Sequence, residues 1–252
     1  MIKMILSGCN GKMGQSIARL TANMDDVEIV CGIDLQDQGL YDFPIYSLPP
    51  AFTGQADVIV DFSHPSAFEK LTEFALERKI PLVMATTGLD TAQQERLKVL
   101  SKSIPVFFSA NMSLGVNLLI DLVKKAANVL YDNFDIEIVE RHHNQKVDAP
   151  SGTALAIADA INSVLDDEME YVYDRHCVRK KRGKQEIGIH ALRGGTIVGQ
   201  HNVVFAGTDE IIELSHTATS KEVFAVGSIR AARFLQGKTP GMYSMAELVE
   251  SL

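Results

Sequence analysis

The stretch IKMILSGCNGKMG, residues 2–14, decides how the rest of the chain reads. Its first six residues form a short apolar run that stops at a glycine, as a buried parallel strand does. Gly8, Gly11 and Gly14 follow as G-x-x-G-x-x-G, a variant of the commoner G-x-G-x-x-G. Such a turn can be tight, lets backbone approach a pyrophosphate, and aims the first N–H groups of the next helix at it. SIARLTANM then places Ile17, Leu20 and Met24 on one helical face. EIVCGID, 28–34, reads as a second strand ending in Asp34, 20 residues beyond Gly14. That is where a carboxylate meets adenosine ribose hydroxyls in dinucleotide-binding folds.

Strand and helix keep alternating outward from there. ADVIVDFS (56–63) is a strand, and PSAFEKLTEFALERK a helix with Phe68, Leu71, Phe74 and Ala75 on one face. IPLVMATTG is a strand, DTAQQERLKVLSKS a helix with Asp90 as N-cap and Gln93 at its third position, and IPVFFSANM a strand. This predicts an α/β, Rossmann-like, doubly wound parallel sheet through residue 112. The rhythm then changes. GVNLLIDLVKKAANVL is helical, FDIEIVERHH a half-exposed strand, and SGTALAIADAINSVL helical. EIGIHALRGG, TIVGQHNVVFAG and DEIIELSHTAT read as consecutive strands with glycine-rich turns, and SKEVFAVGSIRAARFLQGK as a helix. A second, α+β domain with a mixed, largely antiparallel sheet follows, its boundary near 112.

The composition suits this. The 252 residues are 46% hydrophobic and 22% charged, enough for a core without staples. A net charge of −8 argues against general nucleic-acid binding, which needs surplus positive charge. Cys9, Cys31 and Cys177 form no CxxC pair, so neither a disulfide framework nor a zinc site is expected, and the cytoplasm is the natural compartment. The first apolar run is too short for a signal peptide, and no stretch approaches the ~20 residues of a membrane span. The basic run RHCVRKKRGK, 175–184, has little aromatic interleaving and reads as a charged, mobile loop.

Two groups of residues carry chemistry. The first is the nucleotide site. Asp34 repels a 2′-phosphate and is followed by Leu35 rather than Arg, which favours NADH; Lys12, inside the turn, could admit NADPH. Thr86, Thr87 and Gly88, and likewise Ala110, Asn111 and Met112, follow strands whose carboxyl ends border the ligand crevice of an open parallel sheet. His64, in DFSHP, reads as a neighbour of a helix cap rather than a catalyst. The second group is ERHHNQKVDAPSGTA, 140–154, with Arg141, His142, His143 and Lys146 within six residues. Adjacent strand residues point to opposite faces, so His142 and His143 make a poor metal pair. Ser151 can cap a helix whose Gly152 and Thr153 offer N–H groups and a hydroxyl to an anion. A dinucleotide fold followed by proton donors reads most simply as a reductase or dehydrogenase.

The motif HHNQKVDAPSGTA (142–154), with GCNGKMG (8–14), ATTG (85–88), SANMSLGVN (109–117), RGGTIVGQH (193–201) and FAVGSIRAARFL (224–235), resembles the 4-hydroxy-tetrahydrodipicolinate reductase (dihydrodipicolinate reductase) family along essentially the whole chain. Lys221 and Gln200 depart from the family's commoner Arg and Glu. The resemblance implies a dinucleotide domain, 1–112, completed by 222–252, and a substrate-binding and oligomerisation domain, 113–221. It implies NADH- or NADPH-dependent reduction of a small cyclic dicarboxylate with loss of water, on the diaminopimelate route to lysine, by a homotetramer. His142 would be the general acid/base, Lys146 a proton donor and substrate contact, and His143, Gly152 and Thr153 carboxylate-binding residues. The cofactor would be held by Gly8, Cys9, Asn10, Gly11, Lys12, Met13, Gly14, Asp34, Thr86, Thr87, Gly88, Ser109, Ala110, Asn111 and Met112. Two other readings stay open. A different Rossmann reductase would share the first domain without needing the HHxxKxDAPSGT pattern. A non-catalytic NAD-binding regulator would keep the glycines without the His/Lys cluster.

Overall fold

The computed structural model describes residues 1–166 and 168–252. The first elements alternate as β1 (Ile2–Ser7), α1 (Lys12–Thr21), β2 (Val27–Ile33), β3 (Ile45–Tyr46), β4 (Val58–Asp61), α2 (Phe68–Arg78), β5 (Leu82–Met84), α3 (Thr91–Leu100) and β6 (Pro105–Phe108). Then come α4 (Leu114–Leu130), β7 (Asp135–His142), α5 (Gly152–Asn162), β8 (Glu170–Val172), β9 (Glu186–Arg193), β10 (Gly199–Ala206), β11 (Ile211–Ala218), α6 (Glu222–Phe234), β12 (Gly241–Tyr243) and α7 (Met245–Glu250). The chain divides into two compact units, Met1–Leu114 with Glu222–Leu252, and Gly115–Lys221.

In the first unit seven strands lie in the order β12-β6-β5-β4-β1-β2-β3, every pairing parallel. From β3 to β6 this is the doubly wound order whose reversal, between β1 and β4, marks the ligand crevice. The central strands are apolar on both faces because both faces are covered. Met4, Leu6, Val58, Val60, Val83 and Phe107 pack with α1, α6 and α7 on one side. Ile5, Ile59, Leu82, Met84 and Val106 pack with α2 and α3 on the other. Phe68, Leu71, Phe74 and Ala75 of α2 are all buried there, and Asp90 and Gln93 form the capping box that starts α3. α1 ends at Thr21, whose hydroxyl turns back to the Ile17 carbonyl, so Met24 reaches the core from beyond the helix rather than from its face.

The helix expected over 220–238 is α6, and two further elements follow it. α6 packs on the first unit, and β12 then adds a parallel edge strand beside β6 before α7.

The second unit carries the sheet β11-β10-β7-β9-β8. β10 is antiparallel to both β7 and β11, while β9 is parallel to both β7 and β8. β9 and β10 are consecutive in sequence, yet β7 lies between them, so the glycine turn at 194–195 is a crossover and not a hairpin. One face packs Ile136, Ile138, Ile187, Ile189, Val203 and Phe205 against Leu119, Val123 and Ala127 of α4 and Ala154, Ile157, Ala158 and Ile161 of α5.

The basic run is not a loose loop. Arg182 bonds Asp135, Glu137 and the carbonyls of Ile136 and Glu186. Arg175 bridges Glu137 and Glu186, and Lys184 reaches the carbonyls of Tyr131 and Phe134. The cations meet carboxylates of β7 and β9, and Arg175 with its partners holds the Glu186 pKa down at about 2.

Candidate functional site

The first site is the turn between β1 and α1. Gly8 has φ +76°, and a Cβ there would lie 2.5 Å from the carbonyl oxygen of Phe62, just after β4. A Cβ on Gly14 would lie 2.3 Å from the Gly8 carbonyl oxygen and 2.6 Å from Cys9 Cα. The turn closes this tightly only because both positions lack side chains. Gly11 caps α1 without a side chain, and no acidic residue occupies the first helical turn. The exposed Lys12 opens that turn, so helix dipole and ammonium add in favour of an anion.

Asp34 follows β2 and is tied into the turn. Its Oδ2 accepts from the Asn10 N–H and its Oδ1 from the Leu35 N–H, both at 2.8 Å. Asn10 Nδ2 donates to the Gln36 carbonyl, while Asn10 Oδ1 is buried with no partner among the described residues. A buried acceptor beside a carboxylate and a glycine-cradled helix start matches the hydroxyl and pyrophosphate groups of a dinucleotide, so the residues present fit that cofactor.

The remaining sequence-predicted contacts divide by accessibility. Thr87 and Gly88 are exposed after β5, Gly88 at φ +79°. Thr86 is buried, its hydroxyl donating to Asp61 Oδ2 at 2.6 Å; burial pushes the Asp61 pKa up. After β6, Ser109 Oγ donates to the Asn111 carbonyl, Asn111 Oδ1 accepts from the Ser113 N–H, and Ala110 is exposed. Cys9 and Met112 point into the core, and Met13 packs against it. Burial lifts the Cys9 thiol pKa to about 11. At Cys9 and Met112 only backbone is left to face a ligand. His64 accepts from the Ser66 N–H and caps the short 3-10 turn Pro65–Ala67, as its sequence position suggested.

The second site lies where β7 runs into the loop before α5. Along β7, Ile136, Ile138, Glu140 and His142 are the buried positions, so the core-facing row turns from apolar to charged at its end. Glu140 is wholly buried. Its Oε2 lies 2.6 Å from His142 Nδ1, and Arg193 of β9 grips both carboxylate oxygens at 2.7 and 2.8 Å. Oε1 also accepts from the Ser151 N–H at 3.0 Å. Burial opposes the charge on Glu140, but Arg193, His142 and the Ser151 N–H outweigh it and hold the carboxyl below its usual pKa.

Ser151 caps α5 through the Ala154 N–H and contacts His201 Nε2 at 3.0 Å. The His201 ring stands edge-on to that of His142, with centroids 5.3 Å apart. Burial, with His142 beside it, lowers the His201 pKa to about 4, so this ring is neutral at ordinary pH.

Lys146 Nζ pairs with Asp148 Oδ1 at 2.8 Å, and that contact holds the Asp148 pKa low. Lys146 N–H closes a turn onto the His143 carbonyl. Gly152 is exposed, and a Cβ there would meet nothing within 4 Å, so there is room for a ligand at the side of the first turn of α5. Thr153 is in that same turn, which holds no acidic residue of its own, although the Asp148 carboxylate stands just before it at the Gly152 N–H. The structure thus brings His142, His143, Lys146, Gly152 and Thr153 to one end of one unit. Sequence reasoning misses Glu140, Arg193 and His201 as site residues. The available signal was the Glu-x-His spacing, which puts both side chains on one face of a strand.

A sequence model of the dihydrodipicolinate reductase N-terminus matches residues 2–112, and one of the C-terminus matches residues 115–249. The chain is 54% identical over 250 residues to a 4-hydroxy-tetrahydrodipicolinate reductase of Caldanaerobacter subterraneus subsp. tengcongensis, covering 99% of each. It is 47% identical over 251 residues to that of Clostridium tetani, covering 100% of this chain and 98% of the other. A solved dihydrodipicolinate reductase from Paenisporosarcina sp. TG-14, with dipicolinate bound, superposes with a TM-score of 0.82 over 97% of both chains at 23% identity, a likeness in fold. With both units matched in order and relatives this similar along its whole length, the chain belongs to the dihydrodipicolinate reductase family.

Proposed function

We propose that the chain reduces 4-hydroxy-tetrahydrodipicolinate to tetrahydrodipicolinate, with loss of water, on the diaminopimelate route to lysine. The observation that carries this is the cluster of His142, Lys146 and the open start of α5, in a chain of this family. NAD(P)H, when bound, supplies the hydride that ring C4 of the dehydrated substrate receives.

The chain's own residues do the rest. Gly8, Gly11 and Gly14 bring backbone and the α1 start to the pyrophosphate, with Lys12 adding charge. Asp34 and Asn10 accept from ribose hydroxyls. Thr87, Gly88, Ser109, Ala110 and Asn111, with backbone of Thr86 and Met112, border the nicotinamide. Asp34 with an exposed Leu35 beside it favours NADH, because nothing there neutralises a 2′-phosphate.

In the other unit, the N–H groups of Gly152 and Thr153, the Thr153 hydroxyl and His143 hold a substrate carboxylate. Lys146 exchanges its Asp148 partner for substrate and donates a proton. His142 delivers or removes the proton that balances hydride addition, a positioned acid/base role of about 10²–10⁴ in rate. We assign the homotetramer to the sheet face opposite α4 and α5, where Leu192 is exposed. Three free thiols, that of Cys177 exposed, suit the cytoplasm.

The test follows nicotinamide absorbance with the product of the preceding synthase supplied. Turnover is expected, His142→Ala lowering mainly kcat and Lys146→Ala damaging kcat and KM together. Cofactor binding without turnover would favour a regulator instead.

A further inference from the structure

We infer that Glu140 is the positioning residue of the proton-transfer site, one carboxylate that fixes both the ring of His142 and the start of α5. This rests on the reading of His142 as the acid. Glu140 touches three separate elements at once: His142 on its own strand, Arg193 on β9 and Ser151 at the cap of α5. An ionised carboxylate can only accept, so His142 Nδ1 must carry a hydrogen toward it. Nε2 is then the nitrogen left for exchange. A Cβ at position 199 would stand 3.1 Å from Nε2, so β10 presents a glycine beside it. Arg193 keeps Glu140 charged where burial alone would neutralise it.

The other groups that face His142 are consistent with this arrangement. From β10 comes His201, neutral, which itself feels the Lys146 ammonium from the loop after β7. Neither can anchor Nδ1 as an anion does. In the acid step the Nε2–H bond breaks and the proton passes to the substrate position that carries the added negative charge. The imidazolium becomes a neutral ring whose Nδ1–H stays on Glu140, so the next proton returns to Nε2. Because Oε1 also holds the Ser151 N–H, the same carboxylate sets where the Gly152 and Thr153 donors stand relative to that ring.

The experiment is Glu140→Gln in the full chain, read by steady-state kinetics and by the ring ¹⁵N shifts of His142. Glutamine has a single acceptor oxygen, which Arg193 and Ser151 take, leaving its NH₂ toward Nδ1 and selecting the opposite tautomer. The expected result is loss of the Nδ1–H form and a fall in kcat of about 100-fold or more, since a wrong tautomer disables a positioned histidine. Glu140→Asp, which keeps the charge, should recover the Nδ1–H form and part of kcat. An unchanged tautomer in Glu140→Gln overturns the inference, whatever happens to activity. If that variant does not fold, Glu140→Gln combined with Arg193→Met removes both charges of the buried pair and allows the same reading. Absence of turnover in the unaltered chain would defeat the proposed function, while the ¹⁵N signature still decides the role of Glu140.

Discussion

The carbonyl oxygen of Met112 lies where a Cβ of residue 227 would be, only 1.6 Å from that ideal position. Helix α6 of the C-terminal segment is therefore seated through Gly227 directly on the backbone that ends the Ser109–Met112 stretch. Gly227→Ala must push rigid backbone aside. We expect a loss of about 2–3 kcal/mol, the upper range for overpacking, read from urea unfolding. KM for NAD(P)H should rise with it if the displaced backbone borders the nicotinamide as proposed. A variant as stable as the parent would show that α6 can slide.

Asp34→Ala tests cofactor choice. It removes the acceptor of two N–H groups and the proposed acceptor of ribose hydroxyls, so kcat/KM with NADH should fall about 10–100-fold, the worth of a hydrogen bond to a charged group. With NADPH the loss should be smaller, since a repelling charge goes too. The ratio of the two kcat/KM values is the measurement. An equal fall with both cofactors means that Asp34 serves only to hold Asn10.

Arg182→Ala tests the clasp. This side chain is tied to two carboxylates and three carbonyls. Its loss leaves those carbonyls short of a donor and should cost about 2–3 kcal/mol. Arg179→Ala, at an exposed position of the same run, should stay within about 0.5 kcal/mol. Equal effects in thermal unfolding would return the run to an ordinary solvated loop.

His201 gives a pH dependence of known sign. Its folded pKa, about 4, lies below the ordinary 6.5, so between those values the unfolded chain binds a proton that the folded chain refuses. Stability from this group is whole above pH 6.5 and is lost as pH falls toward 4, by up to about 3 kcal/mol. His201→Gln should flatten this part of the Tm–pH curve relative to the parent. A parallel curve would show that His201 protonates freely when folded.

How much of this the sequence shows depends on the range over which each signal acts. β1, β2, β4, β5 and β6 are legible because each is a short apolar run ended by turn residues, a local property. β3 and β12 have two and three residues, too short for any period. They are strands because an edge of the sheet offers them partners. His142, Lys146 and α5 are legible because they are adjacent. Glu140 shares a strand face with Ile136 and Ile138, but the cation that makes a buried acid tenable there, Arg193, comes 53 residues later. The basic run misleads in part for the same reason, since two of its acids, Asp135 and Glu137, sit on a strand some 40 residues earlier, although Glu186 follows it directly.

The place of β12 at the outer edge beside β6 bears on how the polypeptide is made. Residues 2–108 leave the ribosome with their sheet one strand short. Their apolar face also lacks Ala225, Ile229, Ala231, Ala232, Leu235, Met245 and Leu248. Residues 115–221, by contrast, hold a whole sheet and its two covering helices in one uninterrupted length. Vectorial synthesis therefore lets the inserted unit finish before the one that started first, and a nascent chain stalled before residue 222 would expose its nucleotide half, not its substrate half, to chaperones and proteases.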